Sequence, residues 1–211
     1  MVTLDGGDVQ DMTKEDGHYA FNDMPTGGSY MVVPNKNTDF LNGVSTLDLV
    51  MIQRHILGLQ MFDSPYKLIA ADVNGNKDIS AIDLIQLRKL VLGISTELPD
   101  NTSWRFVDAE YKFVDENNPW VYDISEDYEI FSLTQSMEID FIGVKIGDVN
   151  SSVIANANSG VIDSRSTRWG LEFESHQVQT ESKDIKTIAF TSSNYDRVSG
   201  FQGTFEFDVD N

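Results

Sequence analysis

The chain has 211 residues, with 34 Asp and Glu against 15 Lys and Arg, a formal charge of −19 and no cysteine. Such a surface repels nucleic acid and anionic membranes and favours divalent cations or basic partners. The absence of thiols excludes disulfide staples, thiolate zinc sites and cysteine nucleophiles, and the length allows two or three modules, each with a modest core. Residues 1–5 hold neither a basic region nor an apolar run, so no signal peptide is expected there, and no stretch is long enough to span a bilayer. An exported protein with this start would be an internal piece of a larger chain.

Residues 1–34 open rich in glycine and acid, then place Gly17-His18-Tyr19-Ala20-Phe21 and Ser29–Pro34 around the turn signal Pro25-Thr26-Gly27-Gly28. Tyr19 and Phe21 alternate with small or polar neighbours, which predicts a half-buried strand. The pattern is similar to the last hairpin of a small β-sandwich of the prealbumin or carboxypeptidase-regulatory-like type, too short to be a whole domain.

From Asn37 to Gly93 the chain repeats itself. GVSTLDLVMIQRHILG (43–58) and DISAIDLIQLRKLVLG (78–93) share Ser45/Ser80, Asp48/Asp83, Leu49/Leu84, Leu57/Leu92 and Gly58/Gly93 in register. Apolar residues at helical spacing predict one short amphipathic helix per copy: Leu49, Ile52 and Ile56, then Leu84, Leu87 and Val91. Gly58 and Gly93 stand where such helices stop. The opposite faces carry Leu47, Val50 and Met51, or Ile82 and Ile85, more apolar surface than a solvated face needs. Between the copies, Ser64-Pro65 predicts the start of a third short helix that packs Leu68 and Ile69 on the pair.

Asp72 to Asp83 reads as a twelve-residue calcium loop. Side-chain oxygens fall at positions one, three, five, nine and twelve (Asp72, Asn74, Asn76, Ser80, Asp83), with the Asp78 carbonyl at seven and Ile79 facing the core at eight. A metal-free alternative is an S-x-x-D capping box at Ser45–Asp48 and Ser80–Asp83, which accounts for the serines and the last acids but not for Asp72, Asn74 and Asn76. Counting back from Asp48 gives Asn37, Asp39, Leu41, the Gly43 carbonyl and Ser45, so the fifth position is apolar. That first site is either weak or borrows ligands from elsewhere. Gly147-Asp148-Val149-Asn150 repeats the Asp-Val-Asn that opens the good loop, and the expected strand Phe141–Ile146 would return along the module and bring Asp148 or Asn150 to the deficient site.

Two loop-plus-helix repeats, with D-V-N-G-N at the opening and S-x-x-D-L leading into a helix that ends L-G, resemble a type I dockerin. That family is non-catalytic, is similar to half of each of two EF-hands, and docks onto cohesin domains. The resemblance spans about residues 35–93 and departs from the family pattern at Leu41 and at Lys77, which stands where the loop's usual glycine would be. It implies that Asp72, Asn74, Asn76, Asp78 and Asp83 bind one calcium ion, and that Asn37, Asp39, Gly43 and Asp48 line a second site. It also implies that Thr46-Leu47 and Ala81-Ile82, then Gln53-Arg54 and Arg88-Lys89, face a cohesin.

In residues 99–150 aromatics alternate with acids, predicting short strands at Trp104–Val107, Tyr111–Val114, Tyr128–Phe131 and Phe141–Ile146. Trp104, Tyr111, Trp120 and Tyr122 are expected to cover the helix pair, with a sugar-stacking platform as the alternative. A small polar run follows, and then three alternating segments within 169–209. One of these, Val198–Phe207, resembles the early strands of a cohesin-like β-sandwich.

The expected fold is therefore multidomain α+β: a partial β-sandwich at 1–34, a dockerin-like helix pair with calcium loops at 35–98, and a β-rich cover at 99–150. A linker at 151–166 and a partial cohesin-like all-β segment at 167–211 complete it. No nucleophile motif, phosphate loop or paired metal-binding histidines appear, so no enzyme is expected. The leading expectation is a calcium-binding assembly module of a large secreted or cell-surface bacterial protein, docking a cohesin-like domain and linked to polysaccharide binding or breakdown through other domains. The alternative is a calcium-stabilised joint between the neighbouring β-sandwich domains of a surface adhesin, with no cohesin partner. A third, an enzyme of polysaccharide breakdown, would need two facing carboxylates in an aromatic cleft. Exposure of Leu47, Arg54, Ile82 and Lys89 separates docking from a joint.

Overall fold

Ser45 and Ser80 decide where the two long helices begin. Each sits in extended backbone and accepts a hydrogen bond from the amide two residues on, while Asp48 or Asp83 accepts from the serine's own N–H, 2.8 Å in both cases. From these caps run α1 (Thr46–Ile56) and α3 (Ala81–Val91). Both stop at a glycine in left-handed backbone, Gly58 at φ 67° and Gly93 at φ 70°. The next amide then reaches back to Arg54 O or Lys89 O, 2.9 Å each. Between them, α2 (Pro65–Ala71) starts with proline in its first turn. Ser64 holds the cap position, but its side chain makes no capping bond.

The computed structural model describes residues 1–4, 9–14 and 16–155, and beyond them two short strands. The chain divides into two units, Met1–Ala155 and Asn156–Asn211. In the first, Ile52 of α1 and Leu87 and Leu90 of α3 are fully buried against each other and against Leu68 and Ile69 of α2. A β-ladder closes this core: β4 (Trp104–Asp108) pairs antiparallel with β6 (Phe141–Lys145), bringing Val107, Val144 and Ile146 onto the helices.

Tyr111–Val114 makes no strand. Tyr111 and Phe113 meet edge to face, with centroids 5.0 Å apart, and Phe113 does the same with Tyr66 of α2 at 5.4 Å. Their alternation comes from packing on the helix core, with no ladder to support it. Trp104 is buried and Trp120 packs on the same core, whereas Tyr122 is exposed.

A second, smaller core lies under a four-stranded antiparallel sheet made of β1 (Val2–Leu4), β2 (Val9–Asp11), β3 (Tyr30–Pro34) and β5 (Tyr128–Ile130). The strands are ordered β2-β1-β3-β5. Val2, Leu4 and Val32 are its buried side chains. Tyr19 and Phe21 pack on this sheet without joining it: Tyr19 OH donates to Ile139 O at 2.5 Å, and the Ala20 amide donates to the Asp11 carboxylate at 2.9 Å. The strand expected around Tyr19 is thus replaced by a side-chain clasp, and Tyr30–Pro34 pairs with β1 and β5.

In the second unit β7 (Glu174–Ser175) pairs antiparallel with β8 (Phe190–Thr191). The rest of the expected cohesin-like segment, Val198–Phe207 included, and residues 156–166 of the expected linker lie outside the described residues. Among the described residues no helix is long and apolar enough to cross a membrane.

Candidate metal sites

Where α2 ends, the chain turns back towards α3 through the loop 72–83. The acids at its two ends are buried, Asp72 at 5% exposure and Asp83 at 0%. Asp72 Oδ1 accepts from Asn76 N–H at 3.0 Å and Oδ2 from Lys77 N–H at 2.8 Å. Asp83 Oδ1 accepts from Asn74 N–H at 3.1 Å. The Asn74 and Asn76 side-chain oxygens accept from the Asn76 and Asp78 amides at 2.9 and 3.0 Å, so alternate residues turn their oxygens the same way. Lys77 takes the left-handed backbone that glycine usually supplies at this place, with φ 67°, and sends its ammonium outward to Asp123. Burial, with the neighbouring Asp83 charge adding, pushes the Asp72 carboxyl above its ordinary range.

A second pair of buried acids lies at the start of α1. After β6, Gly147 at φ 87° lets the chain pass against α3, where an added Cβ would lie 2.6 Å from Leu87 Cδ1. The next residue, Asp148, is 5% exposed, and Asp48 is 0% exposed. Asp48 Oδ1 accepts from the Val149 and Asn150 amides at 3.0 and 3.3 Å. Asp148 Oδ1 accepts from Ser152 N–H at 3.1 Å, and its Oδ2 from Val153 N–H at 2.8 Å. The Ser152 hydroxyl donates to Gly43 O at 2.9 Å. Burial first, and then the Asp148 charge, push the Asp48 carboxyl up, although the bonds from Ser45 and Val149 pull it down.

Each cluster offers two carboxylates together with amide, hydroxyl and carbonyl oxygens, the donor chemistry of a hard cation such as calcium. Among the described residues no three His, Cys, Asp or Glu side chains converge, so the acids come as pairs. In the second cluster Asn150 Oδ1 is buried with no hydrogen-bond partner, an oxygen left for a ligand to satisfy. Gly43 lies so close that an added Cβ would come 2.6 Å from Asp148 Oδ2. Both features fit a cation held there.

Gly43, Asp48 and Asp148 are thus brought together. Asn37 and Asp39 are exposed and differently engaged. Asn37 Oδ1 accepts from the Ser103 amide at 2.8 Å, and the Ser103 hydroxyl donates to Thr38 O at 2.6 Å. Asp39 sits at φ 55°. The buried Lys145 ammonium holds Phe40 O at 2.9 Å and Ile146 O at 3.1 Å. Burial lowers its pKa to about 8 against the pull of Asp148 and Asp39. Sequence reasoning missed Ser152 and Val153, which lie in the polar run read as a linker. It also missed Asn42, whose side chain holds Ile154 through two hydrogen bonds of 3.2 and 2.8 Å. The signal that points to Ser152 is its place two residues after the repeated Asp-Val-Asn.

The outward faces of the two helices match as closely as the buried ones. Leu47 and Ile82 are 44% and 54% exposed, and Val50/Ile85, Leu57/Leu92 and Leu59/Ile94 are exposed in corresponding pairs. Gln53, Arg54, Ala81, Arg88 and Lys89 are exposed beside them, and Thr46 is half-buried.

Residues 42–92, about a quarter of the chain, match the family model of the dockerin type I domain. The matched stretch contains α1 to α3, the whole loop 72–83 and the second half of the loop that ends at Asp48. No curated protein and no solved structure matches the chain.

Proposed function

We propose that the helix pair is a calcium-dependent docking module of the dockerin kind, in which Asp72, Asn74, Asn76, the Asp78 carbonyl, Ser80 and Asp83 surround one calcium ion. The observation that carries this is the pair of buried acids at the two ends of one loop, with side-chain oxygens at alternate positions between them. Two buried carboxylates with no cationic side chain paired to them repel each other, and a divalent ion reverses the sign of that interaction. Ion binding then becomes folding energy, because the site exists only in the folded chain.

The partner surface is the matched outward face of α1 and α3: Thr46-Leu47 and Ala81-Ile82, with Arg54, Arg88 and Lys89. A joint covered from within would bury Leu47, Arg54, Ile82 and Lys89, and all four are exposed. Their apolar-plus-basic chemistry suits a cohesin-type domain, and docking of this kind places the protein outside the cell or on its surface. The test is binding of a panel of purified cohesin domains, followed by surface plasmon resonance with calcium and then with chelator. Calcium-dependent capture supports the proposal. A chain that binds no calcium at all, or a face that never captures a cohesin, defeats it.

A further inference from the structure

The loop 72–83 and the cluster around Asp48 correspond position by position in their hydrogen bonds, although the second is not continuous. Asp72 opens the loop, Val73 behind it is fully buried, and Gly75 takes a positive φ of 71°. Asp148 is likewise followed by the fully buried Val149, then by Asn150, and then by Ser151 at φ 59°. The amides of the fifth and sixth positions bond the first acid in both: Asn76 and Lys77 to Asp72, Ser152 and Val153 to Asp148. The amide of the third position bonds the last acid in both, Asn74 to Asp83 and Asn150 to Asp48.

After the sixth position the two differ. Lys77 is joined to Asp78 by a peptide bond, whereas Val153 lies against Gly43 from a distant part of the chain. A Cβ on Gly43 would come 2.7 Å from Val153 Cα, so the two backbones touch where a bond would otherwise run. From Gly43 onwards the pattern resumes. The Gly43 carbonyl takes the seventh place, buried Val44 the core-facing eighth, Ser45 the ninth and Asp48 the twelfth.

We infer that this protein has a second calcium site built across the chain, with Asp148, Asn150 and Ser152 at positions one, three and five and the Gly43 carbonyl, Ser45 and Asp48 at seven, nine and twelve. The inference rests on the proposed identity of loop 72–83 as a calcium loop. Asn150 Oδ1, buried and without a partner, is the atom that the ion satisfies. Of the contiguous candidates for the first half, Asn37 accepts from Ser103, Asp39 and Leu41 are exposed, and the Thr38 and Phe40 carbonyls between them hold Ser103 and Lys145. Calcium at this site ties the end of the β cover to the start of α1, the helix that carries one half of the docking face.

The test is calorimetric titration of the full chain, stripped with chelator, against Ca²⁺ alone. The wild type is expected to bind two ions. Asp148→Ala is expected to bind one tightly, with the other weakened at least about 10- to 100-fold, the loss that even an outer-shell change causes. A chain carrying Asn37→Ala and Asp39→Ala is expected to bind both unchanged. Two ions held undiminished by Asp148→Ala, or one lost from the Asn37/Asp39 variant, overturns the inference and leaves the docking proposal standing. A wild type that binds one ion, abolished by Asp72→Ala, does the same. Failure to bind any ion overturns both. Should Asp148→Ala not fold, amide exchange of the wild type decides: Ser152 and Val153 are expected to slow about tenfold on adding calcium, and unchanged rates there overturn the inference.

Discussion

Asp72 and Asp83 bound one unbroken run of chain, whereas Asp148 and Asp48 bound a loop whose halves come from opposite ends of the module. The amides at positions three, five and six bond these acids in both, and Asp48 accepts one more, from Val149 at position two, where Val73 N–H turns to Ala71 O. The chief difference is covalent order, and on the proposal made above a metal loop of this kind is specified by where its oxygens and amides stand in space. The contiguous loop is closed by Lys77, forced into a glycine's conformation. The split one is closed by Val153 packing on Gly43.

Removing calcium from both loops should produce the largest effect. At a free concentration one hundredfold above Kd each site adds about 2.7 kcal/mol, so chelation should lower the melting midpoint on the order of 10–20 °C. Differential scanning calorimetry with and without chelator checks this. Asp72→Ala and Asp148→Ala should each take away about half of the calcium-induced shift, and equal halves would mark the two loops as energetic equals.

Glycine substitutions sharpen the contrast further. Gly43→Ala puts a Cβ into Asp148 Oδ2 and Val153 at a φ of +80°, with an expected cost of about 1–3 kcal/mol and a selective loss at the split site. Gly75→Ala meets Asp100 O at 3.3 Å and the Asn101 side chain from 3.4 Å, looser contacts than those at Gly43, and should cost about 1 kcal/mol through its backbone. Urea melts in calcium rank the pair, and Gly43→Ala proving the milder would break the comparison.

The smallest effects come from exposed positions. Leu47→Asp and Ile82→Asp should leave stability within about 0.5 kcal/mol. Each should also weaken capture of a calcium-dependent partner, by about 2 kcal/mol where it falls at the centre of the interface. Lys77→Gly should stabilise the calcium-bound chain by up to about 1 kcal/mol by relieving its left-handed backbone, read as a small rise in the melting midpoint.

The helices were legible because their signals are local: Ser45 and Asp48, or Ser80 and Asp83, lie within one turn of each other, as do Ser64 and Pro65. Strands Trp104–Asp108 and Phe141–Lys145 were legible from alternation, but their partners were not, since ladder register is a long-range property. Val2–Leu4 and Val9–Asp11 escaped notice because three residues are too few to show a period. Tyr19, Phe21, Tyr111 and Phe113 gave the right period for the wrong reason, each packing on a neighbouring element without entering a ladder. At the site, the repeated Asp-Val-Asn pointed towards Asp148. Ser152 was marked only by its distance from that repeat and not by its type, because its counterpart in the other loop is an asparagine and the second half of its own loop lies far upstream.

One consequence concerns the order in which the module matures. The amide of Val149 and the Asp48 carboxylate that accepts it are 101 residues apart, against 9 for Asn74 and Asp83. Closing the longer span costs about 2 kcal/mol more in chain entropy. It must also wait for β6 to pair with β4, whereas the loop 72–83 needs only residues adjacent in sequence. As the chain folds, the contiguous loop can therefore close first and help to nucleate the helices. The split loop closes last, as the step that records that the whole module has been assembled.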